Sequence, residues 1–235
     1  MEATIGTLNL HPKRGPKIRA VAFDANGVLY YREVDVVEGV MAAAAARGLV
    51  LPADARKSYK EITNRAMGGS MTREQMIRAI LDAWGLFEPE ERQRVAEEIV
   101  AASRAIHLYP GVLSTLARLR QLGISVGVIT NTFQSAAEKW RWFVEQNLAP
   151  YLDRIIASSE VGLVKPDPAI YRLYVTECGL SPEEVAFVGH DLEELEGARA
   201  AGLLALAFRP DRPGFFQPEF YDFPALLPLI GAADG

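Results

Sequence analysis

The sequence predicts an α/β protein, a Rossmann-like, doubly wound parallel sheet interrupted by an all-helical insertion. Three observations carry this expectation. The apolar run Ile18-Arg19-Ala20-Val21-Ala22-Phe23 is short and bounded by Pro16 and Gly27, as a buried strand would be. From Val34 to Ile106 the apolar positions fall at helical spacing and no convincing strand occurs. After Tyr109-Pro110-Gly111, strands and helices alternate in lengths that imply parallel pairing through right-handed crossovers.

Each element has its own signal. Residues 1–16, with Gly6, Pro12, Gly15 and Pro16, read as a flexible N-terminal arm. In the insertion, Val36-Val37, Val40-Met41 and Ala44-Ala45 mark a first helix. Lys57 to Ala66, Thr72 to Trp84 and Pro89 to Ala105 mark three more. Thr72-Arg73-Glu74-Gln75 has the form of a capping box, and Gly68-Gly69 breaks the chain before it. Val112 to Leu122 is a helix stopped by Gly123, and Ile124 to Ile129 a strand leading into Thr130-Asn131. A helix over 136–146, a short strand over 154–157, a helix over 168–178 closed by Gly179, and a strand over 185–188 follow. A helix over 192–201 and a strand over 203–208 complete the alternation. Residues 209–224, rich in proline and aromatics, are expected to wrap the surface before a last helical turn at 224–230.

Bulk properties narrow the function classes. With 235 residues, 49% of them hydrophobic, the chain can build a full core. A net charge of -5 without a basic block argues against nucleic acid as a partner. No apolar run is long enough to span a membrane, and the first residues lack a signal-peptide core. Cys178 is the only cysteine, which excludes an internal disulfide, fits a cytoplasmic location and reads as a small buried hydrophobe. Of Trp140 and Trp142, two apart on one helix, at most one is expected deep in the core. Met41, Met67, Met71 and Met76 read as filling of the helical insertion.

Four polar sites follow strands or sit in a neighbouring loop: Asp24, Thr130-Asn131, Lys165 and His190-Asp191. Parallel strands bring their C-terminal ends to one edge, where ligands of such sheets bind. Each site alone has a structural explanation, for instance Asp191 as the cap of the helix that follows it. Together and in this order they are hard to explain as caps.

These motifs resemble those of the haloacid dehalogenase superfamily of aspartate-nucleophile hydrolases. The likeness runs through Phe23-Asp24-Ala25-Asn26-Gly27-Val28-Leu29-Tyr30, Val128-Ile129-Thr130-Asn131, Gly162-Leu163-Val164-Lys165-Pro166-Asp167-Pro168, Phe187-Val188-Gly189-His190-Asp191 and Gly197-Ala198-Arg199-Ala200-Ala201-Gly202. It implies a core of residues 17–32 and 109–235 and a helical cap of residues 33–108. In the phosphatases of this family the resemblance makes Asp24 the nucleophile and gives Thr130, Asn131 and Lys165 the transferred phosphoryl group. It places a magnesium ion on Asp24, the backbone carbonyl of Asn26, and a carboxylate of the last motif, with Asp191 first and Glu194 second. The expected partner is a small phosphorylated substrate, with specificity set around Tyr30-Tyr31, Arg65 to Ser70 and Trp84, and the chain is expected to be a monomer or homodimer.

Three departures open alternatives. Asn26 stands where the phosphatases carry an acid/base aspartate, and such catalysis contributes about a hundred- to ten-thousand-fold. Phosphatase turnover is therefore expected to be weakened. Second, His190 directly follows Gly189 where an acidic residue is usual, and is a second candidate base. Third, Ala25, Asn26 and Tyr30, with Lys165 and Tyr171, resemble the metal-free 2-haloacid dehalogenases of the same superfamily, in which the leaving halide needs no proton. Arg32 is the nearest candidate for binding the carboxylate of such a substrate. The remaining alternative is a non-catalytic relative that binds a phosphorylated ligand or a partner.

Overall fold

A computed structural model describes residues 18–232; the expected N-terminal arm lies outside them. Six strands form one parallel sheet in the order β5-β4-β1-β6-β7-β8. They are β1 (Ala20–Phe23), β4 (Ser125–Thr130), β5 (Arg154–Ala157), β6 (Val185–Gly189), β7 (Leu204–Phe208) and β8 (Glu219–Phe220). Alternation along the strands divides the core in two. Val21, Phe23, Val126, Val128, Val188 and Leu206 face one side, packed by α5 (Val112–Gln121), α6 (Ala136–Glu145) and α10 (Leu226–Leu229). Ala20, Ala22, Ile129, Phe187 and Ala205 face the other, against α8 (Pro168–Cys178) and α9 (Leu192–Ala200). Helices on both faces make the sheet doubly wound and explain why its strands are apolar throughout.

Between β1 and β4 lie α1 (Val36–Ala46), α2 (Ala55–Met67), α3 (Arg73–Ala83) and α4 (Pro89–Arg104). They enclose their own apolar cluster, with Val40, Met76, Ile80, Trp84, Val95 and Ile99. The Thr72 capping box forms as the sequence predicts. The two chain segments leading into and out of these helices pair antiparallel as β2 (Tyr30–Tyr31) and β3 (His107–Leu108), which the sequence reading does not contain. Two-residue strands are too short to leave a period. The same reason hides β8, and a single helical turn, α7 (Ser158–Val161), is hidden likewise. The expectation that 209–224 only wraps the surface is corrected: Phe216, Phe220 and Phe223 are buried. Trp142 is buried and Trp140 half-buried, whereas Cys178 is half-buried rather than a core hydrophobe. Among the described residues no helix is long and apolar enough to cross a membrane.

Candidate active site

β4, β1 and β6 are neighbours, and their C-terminal ends deliver Thr130-Asn131, Asp24 and His190 to one edge. The Asp24 N–H still donates to the Val188 carbonyl at 2.9 Å, so the carboxylate is held by the sheet rather than by a free loop. Gly27 then turns the chain with φ of 82°. A Cβ there would lie 2.4 Å from the His190 ring, so glycine is what lets this imidazole lie against the loop after β1.

Asp24 Oδ1 accepts from the Ala25 N–H at 2.8 Å and from Lys165 Nζ at 2.6 Å. Lys165 Nζ also meets Glu194 Oε2 at 2.7 Å, and all three groups are largely shielded from solvent. Two latches hold this bridge. The Asn131 side chain accepts from the Lys165 N–H at 2.9 Å and donates to the Lys165 carbonyl at 3.0 Å. α9 approaches the Lys165-Pro166 segment at Gly197, where a Cβ would stand 2.1 Å from the Pro166 carbonyl oxygen. The Tyr171 hydroxyl donates to the Glu194 carbonyl at 2.7 Å and fixes the start of the same helix. The Asn131 side chain is thus occupied with positioning Lys165, which bears on the expected amide contact and not on the expected backbone one.

His190 Nε2 lies 3.5 Å from Asp24 Oδ2, and its Nδ1 lies 3.1 Å from Asp211 Oδ1. Burial alone would raise the Asp24 carboxyl, but Lys165 and then His190 outweigh it and hold it below the usual range. Burial works against a charge on His190, yet contact with Asp24, and secondarily Asp211, pushes it up to about 9. Burial likewise disfavours charge on Lys165, and Asp24 and Glu194 reverse the effect; Glu194 is raised chiefly by its own burial. At neutral pH the centre is an ionised carboxylate between two protein cations.

Magnesium does not fit this donor set. The Asp191 carboxylate accepts from the Glu194 N–H at 2.9 Å as the N-cap of α9, and it does not line the cavity that holds Asp24. A helix start with unmet N–H groups is a strong competitor for that side chain. Glu194, the second choice, is taken by Lys165. His190 stands beside Asp24 as a cation, not as an oxygen donor. Among the described residues no three His, Cys, Asp or Glu side chains are grouped to hold an ion. The Asn26 side chain is also engaged: its Oδ1 accepts from Arg32 Nη1 at 2.6 Å.

The site opens into a cavity of about 620 Å³ between the sheet edge and α1–α2. Thr130 lines it as expected. Tyr30 and Met67 do too, but Trp84 does not; its indole N–H donates to the Ala55 carbonyl inside the helical cluster. The helical wall is instead Arg56, Tyr59, Lys60, Thr63 and Asn64. Sequence reasoning also missed Lys139, which lines the cavity although buried on α6. Its signal was present: Lys139, Trp142 and Phe143 share the apolar face of that helix, where a lysine is out of place. Five lysines and arginines line the cavity against three carboxylates, so it suits an anion.

Comparison with known proteins bears on the family and the fold. The family model for haloacid dehalogenase-like hydrolases matches residues 18–202. The chain belongs to this family. A phosphoserine phosphatase of Thermus thermophilus is 32% identical over 60% of this chain and 57% of its own length, so the match spans little more than half of that relative. The (S)-2-haloacid dehalogenase 4A of Burkholderia cepacia is 28% identical over 89% of both chains. The L-2-haloacid dehalogenase of Xanthobacter autotrophicus, 20% identical, superposes with a TM-score of 0.66 over 92% of this chain and all of its own, a likeness of fold.

Proposed function

We propose that this haloacid dehalogenase-like hydrolase works without a divalent ion. In this reading Asp24 displaces a leaving group from a carbon atom of a small anionic substrate. The observation that carries the reading is His190 at Asp24 Oδ2, a protein cation in the place where the phosphatase pattern requires a metal-binding carboxylate. The chemistry is dehalogenase-type. An Asp24 oxygen forms a C–O bond as the carbon–halogen bond breaks, and the halide leaves with both electrons. No proton is needed at this step, so Asn26 costs the reaction nothing. Lys165 keeps Asp24 ionised and in place.

The ester must then be hydrolysed. Esterification removes the negative charge that holds the proton on His190, so the imidazole falls back toward its ordinary range and releases it. Neutral His190, oriented by Asp211, takes a proton from water as the water oxygen attacks Asp24 Cγ. The proton passes to the departing alkoxide, which leaves as the alcohol, and the Asp24 carboxylic acid that remains gives its proton to His190, restoring the resting pair. The (S)-2-haloacid dehalogenase relative supports this choice of reaction.

A magnesium-dependent phosphatase is the second reading. The phosphoserine phosphatase relative and the convergence of Thr130 and Lys165 on Asp24 favour it. It requires a carboxylate of the last motif to supply an oxygen beside Asp24, where His190 Nε2 now lies 3.5 Å from Oδ2. Halide release from 2-chloropropanoate and phosphate release from an aryl phosphate, each with magnesium and with excess chelator, separate the two. Halide release that ignores chelator is expected. Phosphate release that chelator abolishes, with no halide release, would overturn the proposal.

A further inference from the structure

Lys139 belongs to none of the motifs that define the site, yet its amine is buried in the wall of the same cavity. It shares one face of α6 with Trp142 and Phe143 and lies 4.5 Å from the Trp142 ring centroid. The amine donates to the Tyr30 hydroxyl at 3.2 Å and makes no ion pair among the described residues. The three carboxylates that line the cavity are committed elsewhere. Asp24 and Glu194 meet Lys165, and Asp35 accepts from the Val37 N–H as the cap of α1. A methionine would fill the same apolar space without desolvating an amine, so packing alone does not account for a lysine here. Burial and then Arg32 disfavour charge on this amine, and together they outweigh the opposite pull of Asp24. Tyr30 is driven the other way, since its burial keeps the phenol protonated well above its ordinary range.

We propose that Lys139 is a nucleophile that captures a small aldehyde or ketone as a reversible imine. The lone pair of the neutral amine attacks the carbonyl carbon, and the C=O electron pair moves onto oxygen. One amine proton passes to that oxygen, giving a carbinolamine. The second leaves with the hydroxyl as water while the nitrogen lone pair closes the C=N bond, so amine and carbonyl become imine and water. The Tyr30 hydroxyl, 3.2 Å from Nζ, is placed to donate to the carbinolamine oxygen. A desolvated lysine beside a second cation is the arrangement that leaves an amine nucleophilic near neutral pH. The imine holds the ligand and leaves the rest of it free in a cavity of about 620 Å³. Capture at Lys139 is separate from the reaction at Asp24 and does not depend on it.

The test is reductive trapping of the full chain at neutral pH with propanal and cyanoborohydride, read by peptide mass mapping. Lys60 lines the same cavity but is exposed, so it serves as the internal comparison. A propyl group is expected on Lys139 at least about tenfold faster than on Lys60, because an exposed lysine amine is almost wholly protonated at that pH. Without the reductant, the modification is expected to be lost on removal of propanal. Trapping of Lys139 no faster than that of Lys60, or no trapping at all, overturns the proposal. Trapping at Lys139 in a chain that releases no halide keeps the imine site and removes the reaction proposed at Asp24; halide release without trapping does the reverse.

Discussion

The two ends of one cavity are built on opposite electrostatic plans. Around Asp24 the charges are compensated within the protein: Lys165 lies between Asp24 and Glu194, and His190 between Asp24 and Asp211. Around Tyr30, Lys139 and Arg32 make no ion pair among the described residues. A compensated buried network holds its geometry before anything binds, as a nucleophile requires. An uncompensated one is costly until a ligand completes it. The first end is organised to react and the second to recognise.

The largest expected effect tests the reacting end directly. Asp24→Asn removes the nucleophile and should lower turnover on the order of ten-thousand-fold or more, with no covalent adduct detectable by mass spectrometry of the intact chain. Turnover within about tenfold of the unaltered protein would mean that Asp24 is not the attacking group. Lys165→Met should follow. It leaves Asp24 and Glu194 buried together without their cation, at a cost of about 3–5 kcal/mol in chemical denaturation. A cost below about 1 kcal/mol would show that the network is not the compensated unit described.

His190→Gln is a finer probe of the same end. The first displacement does not use the imidazole, so the Asp24 ester should form and persist, while steady-state turnover falls about a hundredfold. Rapid-quench mass spectrometry reads the accumulated ester. Equal slowing of ester formation and breakdown would assign His190 to positioning alone.

The two ends also differ in how far they can be read from the sequence. The sheet, the four inserted helices and the order Asp24, Thr130, Lys165 were legible, because strands buried on both faces and amphipathic helices leave clear periods. Asp191 is ambiguous in the sequence because a metal-binding aspartate and an N-cap aspartate look alike; here its Oδ1 accepts from the Glu194 N–H as the cap of α9. Glu194 lies in the first turn of α9, so its approach to Lys165 depends on how close Gly197 lets that helix come. Lys139 and Asp211 were missed for a tertiary reason. Lys139 meets Tyr30 across more than a hundred residues, and Asp211 reaches His190 from the loop after β7, so no local spacing encodes either contact.

The recognising end makes a smaller prediction about pH. Burial first, and then Arg32, push the Lys139 amine down to about 7, against 10.5 for a free lysine side chain. Between those values the unfolded chain holds a proton that the folded chain has lost, so stability rises with pH in that window. His190 acts with the opposite sign. Its affinity is raised from 6.5 to about 9, so its contribution is fully present below 6.5 and lost as pH climbs through 9. The total curve mixes the two, and the informative quantity is the difference between the unaltered protein and Lys139→Met. That difference should shrink by roughly 2 kcal/mol over about two pH units above neutrality, as it costs less to give up the proton that only the unfolded chain keeps. Urea denaturation at several pH values measures it. A difference that stays flat across the window would mean that the amine keeps its proton and has a counter-ion after all, which would erase the contrast between the two ends.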